Sequence, residues 1–219
     1  MLTRTFIHMP GIGPATEKKL KQSGIETWAD IHRISRTTLS KARQQEIREW
    51  TQKSALSLEN NDPVFFEQRL PSNQHFRMFH EFRTSCAYLD IETTGLEASA
   101  QITTIALYDG KEIFYYVQGK NLTEFVDKIN EYSVLITYNG RCFDIPFIEG
   151  YFDITLPHAQ IDLRYVLKHL GFKGGLKKCE QAMGIDRGDL DGVDGFFAVL
   201  LWREYLSSRN PKALETLLA

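Results

Sequence analysis

The chain has 219 residues, 42% of them hydrophobic and 25% charged, with a formal net charge of −2 at pH 7. It is long enough to bury a core in one or two domains, and it has neither an apolar run of about 18 residues nor a charged-then-apolar leader, so we expect a soluble cytoplasmic protein without a membrane partner. Its three cysteines, Cys86, Cys142 and Cys179, have no paired spacing, which argues against a disulfide framework or a zinc cluster.

The charge is unevenly distributed along the chain. Residues 1–58 contain ten Lys and Arg against five Asp and Glu, a net charge of +5, which leaves −7 for the other 161 residues. A basic segment next to an acidic body is typical of a polyanion-binding region attached to a cation-binding one. The alternative is a helical domain with an ordinary solvated basic face.

The N-terminal segment is predicted to be helical. The run Pro10-Gly11-Ile12-Gly13-Pro14 is a turn cluster, a helix over 15–23 is stopped by Gly24, a short helix or turn covers 25–34, and a longer helix covers 40–58. The breaker at 60–63 places a domain boundary between residues 1–60 and residues 61–219.

The glycine turn and the residues that follow it resemble a helix-hairpin-helix motif. Gly11 and Gly13 let the backbone approach a phosphate, and the N–H groups at the start of the next helix point towards an anion. Lys18, Lys19 and Lys21 add positive charge nearby. Such contacts hold a nucleic-acid backbone without recognising its sequence. Only one copy is evident, and a hairpin used for packing or for a protein partner is the alternative.

The remainder of the chain predicts an α/β domain. Residues 64–84 are rich in aromatic side chains, and we expect them to pack on the second domain as a lead-in arm. The pattern then predicts strands at 85–91, 101–108, 112–118 and 133–138, a short strand before Asp162, and helices at 122–132, from Asp144, and at 163–170, 175–183, 195–206 and 211–219. Three meandering strands followed by alternating helices and strands indicate a mixed sheet flanked by helices.

The most informative pattern is Asp90-Ile91-Glu92 at the end of an apolar strand. Side chains at i and i+2 of a strand point to the same side of the sheet, so the two carboxylates project together while Leu89 and Ile91 enter the opposite layer. Two adjacent like charges repel, and a hard cation such as Mg²⁺ or Mn²⁺ neutralises them with oxygen ligation. The alternative is that both acids are simply solvated at the strand end.

A third acid lies downstream in the run Tyr138-Asn139-Gly140-Arg141-Cys142-Phe143-Asp144. By itself Asp144 is a good helix N-cap. It also follows a neighbouring strand end, from which it can face Asp90 and Glu92. Three carboxylates can bridge two divalent ions about 4 Å apart, the arrangement that clamps the attacking and leaving oxygens in phosphodiester hydrolysis.

Asp90-Ile-Glu92-Thr-Thr-Gly and Asn139-x-x-x-Phe143-Asp144 resemble the first two motifs of the DEDD exonucleases, and the chain from about residue 65 is similar to their YprB-type ribonuclease H-like branch. The resemblance implies a ribonuclease H-like sheet, two Mg²⁺ or Mn²⁺ ions and 3′→5′ hydrolysis of a nucleic-acid strand, with Asp90, Glu92 and Asp144 as catalytic metal ligands. It also implies that Asn139 and Phe143 shape the strand channel and that Thr93, Thr94 and Leu96 line the terminal-nucleotide pocket.

One element of that family is missing from the sequence. The family closes its site with a fourth acid in a C-terminal helix, whereas the only acids after Asp194 are Glu204 and Glu215. Asp191 and Asp194 fit a turn with a helix N-cap better than a metal ligand. Asp162 is the spare carboxylate: it either caps a helix or supports one of the metal ligands, or it binds the metal directly. We expect that the acid-bearing helix lies beyond Ala219, so that this chain binds one ion firmly and cleaves slowly or not at all.

Two functional hypotheses follow. The first is a metal-dependent exonuclease acting on nucleic acid, with DNA favoured over RNA because of the hairpin. The second is a catalytically impaired nuclease-like module that binds nucleic acid or a partner protein, favoured by the missing fourth acid. Retention of Asp90, Glu92 and Asp144 in costly proximity favours the enzyme.

Overall fold

The computed structural model describes residues 1–97, 99–186 and 195–218. The chain forms two compact units, Met1–Arg83 and Thr84–Ala219. The 3₁₀ turn Arg83–Ser85 leads from the first to the second. Among the described residues, no helix has the length and apolar character needed to cross a bilayer.

The N-terminal unit is entirely helical. Its α-helices are α1 (Pro14–Gln22), α2 (Lys41–Glu59), α3 (Pro63–Glu67) and α4 (Phe79–Phe82), and its 3₁₀ helices are Leu2–Arg4, Trp28–Arg36 and Ser72–Met78. The segment predicted at 25–34 is therefore the 3₁₀ helix, which begins at a capping box between Thr27 and Asp30.

Aromatic packing extends the N-terminal unit beyond the predicted boundary at 60. The Phe66 ring stacks on Trp28, with centroids 6.1 Å apart, and lies 5.5 Å from the His8 ring. Phe66 also contacts Phe82. The prediction that residues 64–84 pack on the second domain is therefore wrong, because these rings bury their apolar surface in the core of the first unit. Whether residues 1–60 act as a domain of their own stays a prediction.

The second unit is built on a five-stranded mixed sheet with the order β3-β2-β1-β4-β5. Its strands are β1 (Cys86–Thr93), β2 (Ile102–Tyr108), β3 (Ile113–Val117), β4 (Val134–Thr137) and β5 (Ala159–Asp162). The pairs β1–β2 and β2–β3 are antiparallel, and β1–β4 and β4–β5 are parallel. All five predicted strands are present, and β1 lies at the centre.

Helices cover this sheet in the predicted order. They are α5 (Phe125–Ile129), α6 (Asp144–Phe152), α7 (Leu163–His169), α8 (Leu176–Met183), α9 (Gly195–Ser208) and α10 (Pro211–Leu218). The helix predicted at 122–132 is shorter and opens with a 3₁₀ turn at Leu122–Glu124. Asn121 causes the tight entry, because its side chain accepts from the Val117 N–H and donates to the Tyr115 carbonyl.

Two apolar clusters stabilise the second unit. The larger packs alternate residues of β1 against α5 and α6, and includes Leu89, Ile91, Phe125 and Ile148. The smaller is formed by the C-terminal helices around Trp202, together with Val117 of β3. The larger cluster therefore buries one set of alternate side chains of β1, and the other set lies on the opposite face of the strand.

Candidate active site

The acidic pair lies on the more open face of β1. Leu89 and Ile91 are only 4% and 6% exposed, whereas Asp90 is exposed and Glu92 is half-buried. This alternation confirms that Asp90 and Glu92 share one face of the strand, opposite the apolar core. The register between β1 and β2 shifts just after Glu92, and such a bulge re-aims side chains at the end of a strand.

Asp144 reaches β1 between these two acids. It is the first residue of α6, it is 4% exposed, and its Oδ1 accepts a hydrogen bond of 3.3 Å from the Ile91 N–H. The parallel pairing of β1 with β4 ends at Tyr88 and Ile136. The hydrogen bonds between these two strands therefore do not extend as far as the Ile91 N–H. Asp144 thus supplies an acceptor at the residue that separates Asp90 from Glu92.

The carboxylates perturb one another electrostatically. Burial, followed by the negative charges of Asp90 and Asp144, raises the pKa of Glu92 to about 7. Burial and the charge of Asp90 raise the pKa of Asp144 to about 7 as well, against the lowering effect of the Ile91 N–H. Excess negative charge is therefore concentrated at this end of β1, which favours proton or cation binding.

The three carboxylates do not form a closed metal site in this conformation. Within residues 1–97, 99–186 and 195–218, no three His, Cys, Asp or Glu side chains are grouped so that they could hold an ion. Asp144 is buried against β1 whereas Asp90 is exposed, and the prediction that Asp90, Glu92 and Asp144 lie within mutual bridging reach stays a prediction.

Asp162 organises the turn that precedes Asp144. It ends β5, caps α7 by accepting from the Arg164 N–H at 2.9 Å, and is 2% exposed. Its carboxylate also accepts from the amides of Asn139 at 2.8 Å and Arg141 at 3.4 Å. The capping role predicted for Asp162 is therefore present, and sequence reasoning missed that the same carboxylate holds the 139–141 turn.

Asn139 and Gly140 complete that turn. Asn139 adopts a left-handed conformation with φ of 68°, and its side-chain oxygen accepts from the Arg164 guanidinium. Gly140 packs so tightly on Thr137 that a Cβ would lie 2.4 Å from the Thr137 Cβ. The turn can therefore deliver Asp144 to β1 only with a residue that lacks a side chain at position 140.

The predicted pocket residues divide into two groups. Leu96 and Phe143 line an open groove beside α6. Thr93 and Thr94 instead close the loop after β1, since the Thr93 hydroxyl donates to the Gly95 carbonyl at 2.7 Å and the Thr94 hydroxyl accepts from the Gln101 N–H at 2.9 Å. Contact of Thr93, Thr94 and Asn139 with a nucleotide stays a prediction.

The second unit matches a known protein family. The model of the RNase_H superfamily matches residues 87–219, more than half of the chain. The chain belongs to the RNase_H superfamily. The mixed sheet with β1 at its centre, flanked by helices, is a ribonuclease H-like fold, as predicted.

More distant similarity exists among solved structures. The family B DNA polymerase from the archaeon Pyrobaculum calidifontis matches with a TM-score of 0.45 and 16% identity, over 61% of this chain and 22% of the polymerase chain. NrnC from Brucella melitensis matches with a TM-score of 0.38 and 16% identity, over 64% of this chain and 83% of that one. Neither value is high enough to carry a functional argument. No curated protein gives a significant match.

The remaining acids that the sequence analysis considered as a fourth ligand lie in the C-terminal part of the chain. Asp191 and Asp194 lie outside the described residues. Glu204, in α9, is exposed, and its Oε1 accepts from the Asn210 side chain at 2.7 Å.

The glycine turn of the N-terminal unit lies directly before α1, and its identity as a helix-hairpin-helix motif stays a prediction. Gly11 has φ of 65°, a value that favours glycine, and Gly13 is the N-cap of α1 without a side-chain capping bond. Lys18 and Lys19 are exposed, whereas Lys21 lies 3.5 Å from the carboxylate of the buried Glu17. Of the three predicted lysines, Lys18 and Lys19 therefore present their charge to solvent, whereas the charge of Lys21 is partly offset by Glu17.

Proposed function

We propose that this RNase_H superfamily member is a metal-dependent nuclease that hydrolyses phosphodiester bonds from the 3′ end of a nucleic-acid strand. The observation that carries the proposal is the hydrogen bond from the Ile91 N–H to Asp144, because it sets a third carboxylate beside the Asp90–Glu92 pair. Like charges brought together at a strand end raise the free energy of the folded state unless a proton or a cation neutralises them.

The donor set fits Mg²⁺ or Mn²⁺. All three side chains offer carboxylate oxygens, the ligands that hard divalent cations prefer. Asp90 and Glu92 would hold an ion from β1, and Asp144 would contribute a carboxylate from the start of α6. When bound, a pair of such ions activates the attacking water and stabilises negative charge on the leaving 3′ oxygen.

The protein's own groups then position the substrate. The Ile91 N–H and the start of α6 fix the orientation of Asp144, and Asp162 fixes the turn that carries Asn139. Leu96 and Phe143 line the groove beside α6, and they are the proposed contacts for a terminal base. Holding the scissile phosphate in one orientation lowers the entropic part of the barrier.

The N-terminal hairpin is the proposed backbone grip. Its free helix start and the exposed Lys18 and Lys19 suit phosphate contacts that do not depend on sequence. A helix-hairpin-helix motif used in this way favours DNA over RNA as the bound strand.

The test is a cleavage assay on the 219-residue chain. Single strands of DNA and RNA, labelled at either the 5′ or the 3′ end, are incubated with Mg²⁺ or Mn²⁺. A ladder that shortens from the 3′ end, abolished by Asp90→Asn, Glu92→Gln or Asp144→Asn, supports the proposal. Asp127→Asn, an exposed acid on α5, is the matched control and should cleave like the unaltered chain. Equal cleavage by all four variants would reject it.

A second function is favoured by the open arrangement of the acids. Since no three acidic or ligating side chains in the described parts of the chain are grouped to hold an ion, the domain can instead act as a nuclease-like module that binds nucleic acid, or a partner protein, without turnover. Strand binding that persists in Asp90→Asn, together with no cleavage under any metal condition, would support this alternative.

A further inference from the structure

An open cavity of about 560 Å³ lies at the glycine turn of the N-terminal unit. Residues 7–13 line it together with Trp50 of α2 and Arg69. Of the described residues that form its lining, none is acidic, and Arg69 supplies a positive charge. Cavities of this size hold small organic ligands, so the space exceeds what a single inorganic ion needs.

His8 is one of the lining residues and is only 2% exposed. Its Nε2 lies 2.7 Å from the Ser54 hydroxyl oxygen, and that hydroxyl donates its own hydrogen to the Trp50 carbonyl at 2.7 Å. His8 must therefore donate from Nε2, which leaves Nδ1 as an acceptor. Among the described residues, Nδ1 has no hydrogen-bond partner. A buried acceptor of this kind is satisfied by a ligand that carries a donor.

The His8 ring is neutral at ordinary pH. Burial lowers the pKa of His8 to about 4, although the Glu17 carboxylate acts in the opposite direction. The positive charges of Arg69 and Arg77 add to the lowering. A neutral ring can accept a hydrogen bond at Nδ1 but contributes no charge, so attraction of an anion to this cavity depends on Arg69 and on backbone amides.

The start of α1 provides such amides. Gly13 lines the cavity and caps α1 without a side-chain bond. Pro14 has no N–H, and the first amide of α1 that bonds within the turn is that of Glu17, which donates to the Gly13 carbonyl. The N–H groups of Ala15 and Thr16 therefore lack an acceptor inside the helix, and the positive end of the helix dipole favours an anion beside them.

These groups together select an anion that can also donate a hydrogen bond. An internal phosphodiester carries no hydrogen on its phosphate and cannot satisfy His8 Nδ1. A phosphate monoester loses its second proton with a pKa of about 6, so it can share that proton with Nδ1 while its other oxygens accept from Arg69. Trp50, which is half-buried, adds an aromatic surface of the kind on which nucleobases stack.

We propose that this cavity binds the phosphate monoester of a nucleic-acid end or of a free nucleotide, with His8 and Arg69 contacting the phosphate and Trp50 contacting the nucleoside. The inference rests on the proposed function for taking its ligand from nucleic acid. It deepens the hairpin grip, because it gives the start of α1 to a terminal phosphate and leaves Lys18 and Lys19 for internal phosphates.

Binding to strands that differ only at their ends tests the site. The full chain carrying Asp90→Asn is titrated, in chelator, with internally labelled DNA strands of one length and sequence. One strand has hydroxyl groups at both ends, one carries a 5′-phosphate and one carries a 3′-phosphate. A nucleoside 5′-monophosphate, the same nucleoside without phosphate, and inorganic phosphate are the competitors.

Two further changes remove the proposed phosphate contacts. His8→Gln keeps an amide that can donate to Ser54 as Nε2 does, but it removes the acceptor at Nδ1. Arg69→Gln removes the charge of an exposed side chain, and it keeps the test decisive if His8→Gln does not fold. Arg36→Gln, at another exposed arginine of the same unit, is the matched control. Thermal melting checks that each variant is folded.

We expect a phosphorylated strand to bind about tenfold or more tightly than the hydroxyl strand, the effect of charge-assisted hydrogen bonds to the added group. His8→Gln and Arg69→Gln should each reduce this preference to about threefold or less, whereas Arg36→Gln should keep it. Preference for a phosphorylated strand supports a strand end as the ligand. Competition by the nucleotide but not the nucleoside, without a strand preference, supports a free nucleotide.

Three outcomes would overturn the proposal. The first is equal affinity for all strands together with no competition by the nucleotide. The second is a preference that persists in both variants or falls equally in the control. The third is competition by inorganic phosphate as strong as that by the nucleotide, which would make the cavity a site for the free ion.

The same measurements separate this site from the proposed function. If the unaltered chain never cleaves, the nuclease is rejected, but an end preference that depends on His8 and Arg69 still supports the cavity. If the unaltered chain cleaves and no such preference is found, the cavity alone is rejected.

Discussion

The Oδ1 atom of Asp144 accepts a hydrogen bond from the Ile91 N–H, the amide that lies between Asp90 and Glu92 on the central strand. This bond joins two segments of the chain that are far apart in sequence, and it fixes the position of the Asp144 carboxylate against β1. It also holds Asp144 in a buried position, where ionisation without a counter-ion is costly.

The first prediction concerns stability without divalent cations. The pKa of Asp144 is raised to about 7, so the protonated carboxyl group is favoured in the folded state. Its contribution to stability is complete below the pKa that Asp144 has in the unfolded chain, and it is lost as the pH rises through 7. Asp144→Asn keeps an acceptor for the Ile91 N–H but removes the charge. We expect it to raise the free energy of unfolding by about 1–3 kcal/mol at pH 8. Urea titrations in chelator should show the gain shrinking towards zero at pH 4, and a gain independent of pH would contradict this cause.

The second prediction concerns metal binding. A cation must displace the protons that Glu92 and Asp144 retain below their raised pKa values of about 7, so Mn²⁺ should raise the melting temperature more at pH 8 than at pH 5.5. Asp90→Asn should remove most of the shift, and Asp127→Asn should retain it. The same shift in all three proteins would place the bound ion elsewhere.

The third prediction separates Asp162 from the metal ligands. Its carboxylate accepts three backbone N–H groups, and Asp162→Ala would leave buried donors without partners. We expect a loss of roughly 2 kcal/mol in the free energy of unfolding, with Asp162→Asn losing less. The Mn²⁺-induced rise in melting temperature should persist in Asp162→Asn, and its disappearance there would indicate that Asp162 ligates the ion.

The fourth prediction uses two glycines of the same region. Gly140→Ala would force a Cβ into the Thr137 side chain and should destabilise the second unit by about 1–3 kcal/mol. Gly150→Ala, in the interior of α6 where a Cβ meets open space, should stabilise it by up to about 1 kcal/mol. Chemical denaturation of both variants checks the contrast, and equal effects would show that the close packing on Thr137 does not constrain position 140.

The fifth prediction concerns the hairpin of the N-terminal unit. The double variant Lys18→Gln/Lys19→Gln removes two exposed charges, so the slope of log affinity for duplex DNA against log salt should fall by up to about 2. Lys111→Gln, an exposed lysine in the second unit, is the control. If the double variant keeps the parental slope, the hairpin serves packing rather than phosphate binding.

The sequence by itself determined the elements and the acidic strand. Strict alternation around Asp90 and Glu92 fixed which side chains leave the core, and the glycine and proline punctuation fixed the order of strands and helices, because both signals depend on local backbone geometry.

Tertiary structure alone decided how these parts meet. No local rule ties Asp144 to the Ile91 amide or Asp162 to the 139–141 turn, since each contact depends on where β4 and β5 end in the sheet. The aromatic residues 64–84 were assigned to the wrong unit for the same reason: an apolar surface buries itself against whichever rings the chain brings near, and here those are His8 and Trp28. The packing of α6 against the sheet likewise decides that Asp144 is buried while Asp90 remains exposed. The spacing of these acids in the sequence does not reveal this difference.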